Sequence, residues 1–233
     1  ALQSTMYVAL NEAIAAGDAD KAVIAHLFIG SNGVFTAGND IAEFAERAKG
    51  GVSLSAPVLE FIRLLPQIRK PVIAAVDGLA VGIGTTMLFH CDLVYATQSA
   101  SFRTPFLDLG LVPEAGSSLL APQRMGYQRA FELLILGEPF SAERAREAGI
   151  VNAIVAPDEL EATARKAAQR IGRKPPGALV ASRRLMRGDP TAVVAHIDEE
   201  ARIFGERLQT PEAQEAFSAF LEKRPADFSR LKD

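Results

Sequence analysis

One carboxylate stands out in this 233-residue chain. Glu114 lies in the stretch LVPEAGSSLLAP, residues 111–122, between a proline and a run of small residues that opens an apolar segment. Two readings fit it. In the first turn of a helix the macrodipole favours an anion by about 0.3–1 kcal/mol. Alternatively the carboxylate is a catalytic base, taking and returning a proton on a bound substrate.

Two turns supply a possible second ingredient. TAGND, residues 36–40, and GLAVGIGTT, residues 78–86, both join strand-like segments to helical ones and are rich in small residues. Such turns expose backbone N–H groups at a helix entry, and glycine lets a ligand or another backbone come close. Two donors converging on one point form an oxyanion hole, worth about 2.7–4 kcal/mol per donor at a developing enolate or tetrahedral oxygen. The competing reading is that these glycines serve only tight strand–helix packing.

Other chemistries are disfavoured by residue type and spacing. His26, His90 and His196 form no pair at metal-binding spacing with one another or with Cys91, so no metal is expected. The serines of AGSSL are not in a G-x-S-x-G elbow, which argues against a serine hydrolase. Gly82 and Gly84 give G-x-G, but Met87 stands where a dinucleotide fingerprint needs glycine or alanine, and no G-K-[ST] follows. A net charge of -3, with basic residues scattered in pairs, offers no footprint for nucleic acid. The single cysteine excludes an intrachain disulfide and agrees with a reducing, cytoplasmic setting. No apolar run approaches the roughly 20 residues of a membrane span.

The elements that must position these residues follow from periodicity. Leu2, Met6, Leu10, Ala13 and Ile14 predict an amphipathic helix over 2–16, stopping at Gly17 and Asp18. Residues 21–31, 71–78 and 92–97 read as strands, and 150–156 as a further short one. Asp40 followed by Glu43 has capping-box spacing and predicts a helix running to about Pro66. Helices are expected over roughly 115–136, 141–148, 158–172, 175–187, 190–208 and 210–223, judged from apolar stripes such as Val193, Ile197, Ala201, Phe204 and Leu208. Alternation of strand, loop and helix places the chain in the α/β class. The expected division is a core over 1–156 and a helical region over 157–233 whose apolar faces serve oligomerisation.

In order and spacing, FTAGNDIAEF, KPVIAAVDGLAVGIGTTMLFHCDLVYAT and SFRTPFLDLGLVPEAG resemble the motifs of the crotonase, or enoyl-CoA hydratase/isomerase, superfamily, and the terminal FLEKRPADF resembles its last helix. The resemblance implies a crotonase-like spiral of ββα turns with a C-terminal helical region. It also implies an acyl-CoA thioester substrate, assembly as a homotrimer or dimer of trimers, and no cofactor beyond the coenzyme A of the substrate. Two strands normally precede the helix placed at 2–16; without them the sequence reads as truncated, processed or incompletely recorded.

Carried over residue by residue, the resemblance assigns the two oxyanion donors to the backbone N–H groups of Asn39 and Ile83. Hydratases of the family use two glutamates, which fall on Thr86 and Phe106 here. Isomerases resembling the peroxisomal Δ3,Δ2 enzymes carry one glutamate in a PEG or PEA turn, matching Glu114. The resemblance sets the turn with Ala37, Asp40 and Ile41 against the coenzyme A moiety, Phe106 beside the acyl group, and Lys223, with Arg224, near the phosphates. The expected activity is therefore Δ3-to-Δ2 enoyl-CoA isomerisation with Glu114 as proton shuttle. Competing readings are another reaction on the same scaffold, hydratase-like or hydrolytic, with Asp108 as base, and a non-catalytic acyl-CoA-binding protein.

Overall fold

The computed structural model describes residues 1–30, 33–40, 43, 54–229 and 231. Helix α1, Ser4–Ala19, opens the chain. Its buried face is Tyr7, Asn11 and Ile14, one position out of phase with part of the expected stripe, and Met6 is 45% exposed. The helix also runs through Gly17. One interior glycine costs only about 1 kcal/mol, and a Cβ there would come within 2.6 Å of the His26 ring.

Four parallel strands, β1 His26–Ile29, β3 Val72–Val76, β5 Leu93–Thr97 and β8 Ala153–Val155, form one sheet in the order β1-β3-β5-β8. A second sheet stacks β2 Val34–Thr36, β4 Leu79–Val81, β6 Ser101–Arg103 and β7 Phe140–Ser141, the last antiparallel to β6. Strands β1, β3 and β5 each pass within a few residues into β2, β4 and β6. Every pass of the chain thus adds one strand to both sheets, which is the expected spiral. Strand β3 is buried throughout: Val72, Ala74 and Val76 enter the main core, while Ile73 and Ala75 meet Leu160, Ala164 and Ala167. Those three residues belong to helix α7, Leu160–Gly172. Two buried faces explain why the segment reads as a continuous apolar run rather than an alternating one.

Helix α2, Ala56–Leu64, packs on α1 through an edge-on contact of Phe61 with Tyr7 at 5.3 Å. Of the helix expected after Asp40, residues 41–42 and 44–53 lie outside the described set, and its later part is α2. A short helix, α3 Ile83–Thr86, follows the second glycine turn. The single helix expected over 115–136 is two, α4 Ser117–Met125 and α5 Tyr127–Leu134, because Gly126 adopts φ 81° and ψ 156° between them. Helix α6, Ala142–Glu147, precedes β8. After α7 come α8 Pro176–Arg187, α9 Pro190–Leu208 and α10 Pro211–Leu221. Prolines begin all three, and the Asp189 and Thr210 side chains accept backbone N–H groups of the first turns of α9 and α10, as N-caps do. Among the described residues no helix is long and apolar enough to cross a membrane.

Candidate active site

Two glycines in the left-handed region set up the backbone donors. Gly38, at φ 85°, turns the chain before Asn39, and Gly82, at φ 56°, turns it into α3 before Ile83. A parallel bridge joins Leu2 to this segment: the Leu2 N–H donates to Gly38 O and Leu2 O accepts from Asp40 N–H. Those bonds use the residues flanking Asn39, so its own N–H points to the opposite side. Ile83 is the first residue of α3, where an N–H has no intrahelical acceptor. Both residues line a narrow cavity of about 60 Å³, together with Ala37, Phe106, Glu114 and Phe204. The residues expected to supply two peptide donors and one carboxylate thus line one small space.

The turn carrying Glu114 is held from three directions. Ala115 and Gly116 both have positive φ, 58° and 72°. For alanine this conformation costs about 1 kcal/mol or more and persists only where its surroundings enforce it. One restraint is His90, 1% exposed, whose Nε2 donates to Ala115 O at 2.7 Å. The ring must be the donor there because a carbonyl oxygen only accepts. Burial pushes His90 down to about 3, so it stays neutral. The second restraint is Glu200 on α9, whose carboxylate accepts from Gly116 N–H at 2.6 Å, Ser118 N–H at 3.0 Å and Ser118 Oγ at 2.5 Å. The third is Thr86, whose Oγ1 donates to Glu114 Oε1 at 3.4 Å.

Burial and a neighbouring charge bring the ionisation of Glu114 close to neutrality. Only 2% exposed, it has its carboxyl pushed up to about 8, first by burial and then by the charge of Glu200, with the Thr86 hydrogen bond opposing. Its Oε2 is buried without a hydrogen-bond partner, leaving an acceptor free to take a proton. Tyr7 lies close enough to feel Glu114; its hydroxyl donates to Asn39 Oδ1, and burial holds its ionisation well above the usual phenol range.

The structure brings Ala37, Asn39, Ile83, Phe106 and Glu114 together, but not all the expected residues. Asp40 lines a separate small recess with Tyr7 and Glu43. Its Oδ1 accepts from Glu43 N–H at 3.4 Å, as the capping box requires, but the Glu43 carboxylate accepts from Ser4 Oγ instead of reaching back. Ile41 lies outside the described residues. Lys223 is exposed beyond the end of α10 and does not line the cavity. Asp108, the alternative base, sits at the surface paired with Arg103 at 2.9 Å. Sequence reasoning missed Tyr7, Glu200 and the tie between Thr86 and Glu114. A signal for Glu200 existed: it falls between Ile197 and Phe204, at i+3 and i−4, inside the apolar face of its helix. Among the described residues no group of His, Cys, Asp or Glu could hold a metal ion.

The enoyl-CoA hydratase/isomerase family model matches residues 1–231. The chain is 30% identical over 229 residues to 2,3-dehydroadipyl-CoA hydratase of Escherichia coli, covering 98% of this chain and 89% of that protein. It is 31% identical over 231 residues to rat enoyl-CoA delta isomerase 2, covering 97% of this chain and 59% of that protein. Among solved structures, Pseudomonas aeruginosa OdaA superposes with a TM-score of 0.89 at 45% identity, over 95% of this chain and 90% of the other. An enoyl-CoA hydratase/isomerase of Pseudoalteromonas atlantica gives 0.91 at 38% identity, over 98% and 90%. The two-sheet spiral is thus a crotonase fold, and the chain belongs to the enoyl-CoA hydratase/isomerase family.

Proposed function

We propose that this protein is an enoyl-CoA isomerase that moves a double bond of an acyl-CoA thioester from the 3,4 to the 2,3 position. The observation that carries this reading is the cavity wall: among its described residues Glu114 is the sole titratable side chain, and Phe106, Leu109, Leu111 and Phe204 surround it with carbon. The thioester oxygen accepts from the Asn39 and Ile83 N–H groups. Glu114 removes a proton from C2, the C–H electrons pass into the enolate held by the two amides, and the 3,4 double bond becomes part of a dienolate. The protonated Glu114 then returns its proton to C4, and the electrons settle as a 2,3 double bond conjugated to the thioester. One base serves both steps.

Hydration makes different demands, because water must be held and activated. Thr86 and Phe106 occupy the positions where the family resemblance places the hydratase glutamates, and Thr86 donates to Glu114. The rat delta isomerase relative is in keeping with this reading.

Turnover of a 3-enoyl-CoA to the conjugated product, followed by ultraviolet absorbance, tests the proposal. Glu114→Gln is expected to lose about 10²–10⁴-fold in kcat, while Asp108→Asn stays near wild type. Undiminished turnover by Glu114→Gln, or hydration of a 2-enoyl-CoA faster than isomerisation, would remove this assignment.

A further inference from the structure

A second cavity, about 480 Å³, opens beneath α8, beside the beginnings of β3 and β5. Its charged lining is Asp92, Arg124, Arg183 and Arg187, three guanidinium groups against one carboxylate. Most of that carboxylate's capacity is already used: Asp92 Oδ2 accepts from Val72 N–H at 2.7 Å, and both oxygens accept from Arg183 Nε at 2.9–3.0 Å. Arg183 Nη1 donates to the carbonyls of Ile68 and Arg69, and Arg124 Nη2 to that of Phe89. Two donors are left over. Arg183 Nη2 and Arg187 Nη1 are buried with no hydrogen-bond partner, and Arg187 Nη1 stands 3.9 Å from Asp92 Oδ1.

A buried charged donor without an acceptor is costly, and an excess of buried positive charge compounds that cost. Burial, and then the neighbouring Arg183 charge, hold Arg187 below the usual arginine range. Both penalties are relieved by a group with two or more oxygens and negative charge, the geometry that guanidinium forks bind. The rest of the wall is largely carbon, including Phe89, Leu120, Ile171 and Leu179. The volume falls in the range of small-molecule sites, about 300–1,000 Å³.

We infer that this cavity is a binding site for a small organic oxyanion, a carboxylate or phosphate head on an apolar body, separate from the site around Glu114. The head lies against the free N–H groups of Arg183 and Arg187, and the body against the carbon wall. His90 also lines the cavity and donates to Ala115 O, so an occupant sits one side chain away from the Glu114 turn. The inference does not depend on which reaction Glu114 performs.

Titration calorimetry of the full chain tests it, with octanoate and octyl phosphate as probes and octanol as the same tail without charge. At least one anion is expected to bind with 1:1 stoichiometry, at least tenfold more tightly than octanol, and comparison of the two anions identifies the preferred head. Arg187→Gln is expected to weaken binding tenfold or more. Ser182→Trp, which keeps every arginine and fills the mouth of the cavity from an exposed position of α8, does the same and carries the test should Arg187→Gln not fold. No binding of either anion, equal binding of octanol, or wild-type affinity in either folded variant overturns the inference; the first result means that water satisfies the arginines.

Discussion

Glu200 offers the sharpest test of how Glu114 is tuned. With Glu114 half-ionised at about pH 8, only about a tenth of it is in the base form at pH 7, so kcat/KM should climb about tenfold per pH unit below 8 and level off above it. Glu200→Gln removes the second-largest cause of that position and leaves burial, the largest, in place. Taking away a neighbouring negative charge makes ionisation easier, so the limb moves to lower pH. The gain at pH 7 is bounded at about tenfold, because about a tenth of the base is already available. The same substitution has a structural cost. Glu200 accepts three hydrogen bonds from Gly116 and Ser118, and glutamine offers one acceptor oxygen and an amide donor in place of two acceptors. A lost partner there costs about 1–3 kcal/mol, visible as a lower urea midpoint. The assay is kcat/KM for a 3-enoyl-CoA across about pH 6–9, alongside a denaturation curve for each protein. A folded Glu200→Gln enzyme whose limb stays near pH 8, or moves upward, refutes the electrostatic reasoning.

Other expectations concern stability, backbone geometry and assembly. Because the Glu114 carboxyl is raised from 4.5 to about 8 on folding, the folded state holds a proton that the unfolded chain releases, and stability falls as pH rises through that window. Glu114→Gln should therefore lose less stability than wild type between acidic and alkaline pH, and parallel curves for the two would contradict this. Gly38→Ala places a Cβ 2.8 Å from Val81 O at φ 85°, so the Asn39 amide is displaced; a kcat loss of about 10²–10³ is expected from one misplaced oxyanion donor, and a wild-type kcat would exclude Asn39 from that role. Helix α8 exposes Val180 at 59% and Leu185 at 80%, apolar surface that association of copies would cover, and the family resemblance sets the expected assembly as a homotrimer or dimer of trimers. Sedimentation equilibrium showing a monomer at micromolar concentration would oppose it.

What the sequence revealed followed the range of the interactions concerned. Strands β1, β3 and β5 were legible because burial on both sheet faces leaves an uninterrupted apolar run. Their partners β2, β4 and β6, three residues each, are too short to carry a period, so the second sheet was invisible. Glu114 was legible through a local turn. Glu200, 84 residues beyond its partner Gly116, was not, since nothing local ties a carboxylate on α9 to that turn. The apolar stripe at the start of the chain was legible in part: Leu2, Leu10 and Ile14 pack on the core as expected, but Met6 is exposed, and Tyr7 enters the core with a polar atom that must be matched to Asn39.

Helix α9 has a consequence for how such an enzyme can be altered. Phe204 forms part of the cavity wall, and Glu200, one turn earlier, grips the turn of the base. The C-terminal helices and the spiral are therefore not interchangeable modules: a graft or shuffled segment joined after residue 156 would inherit a strand scaffold with neither its wall nor its clamp.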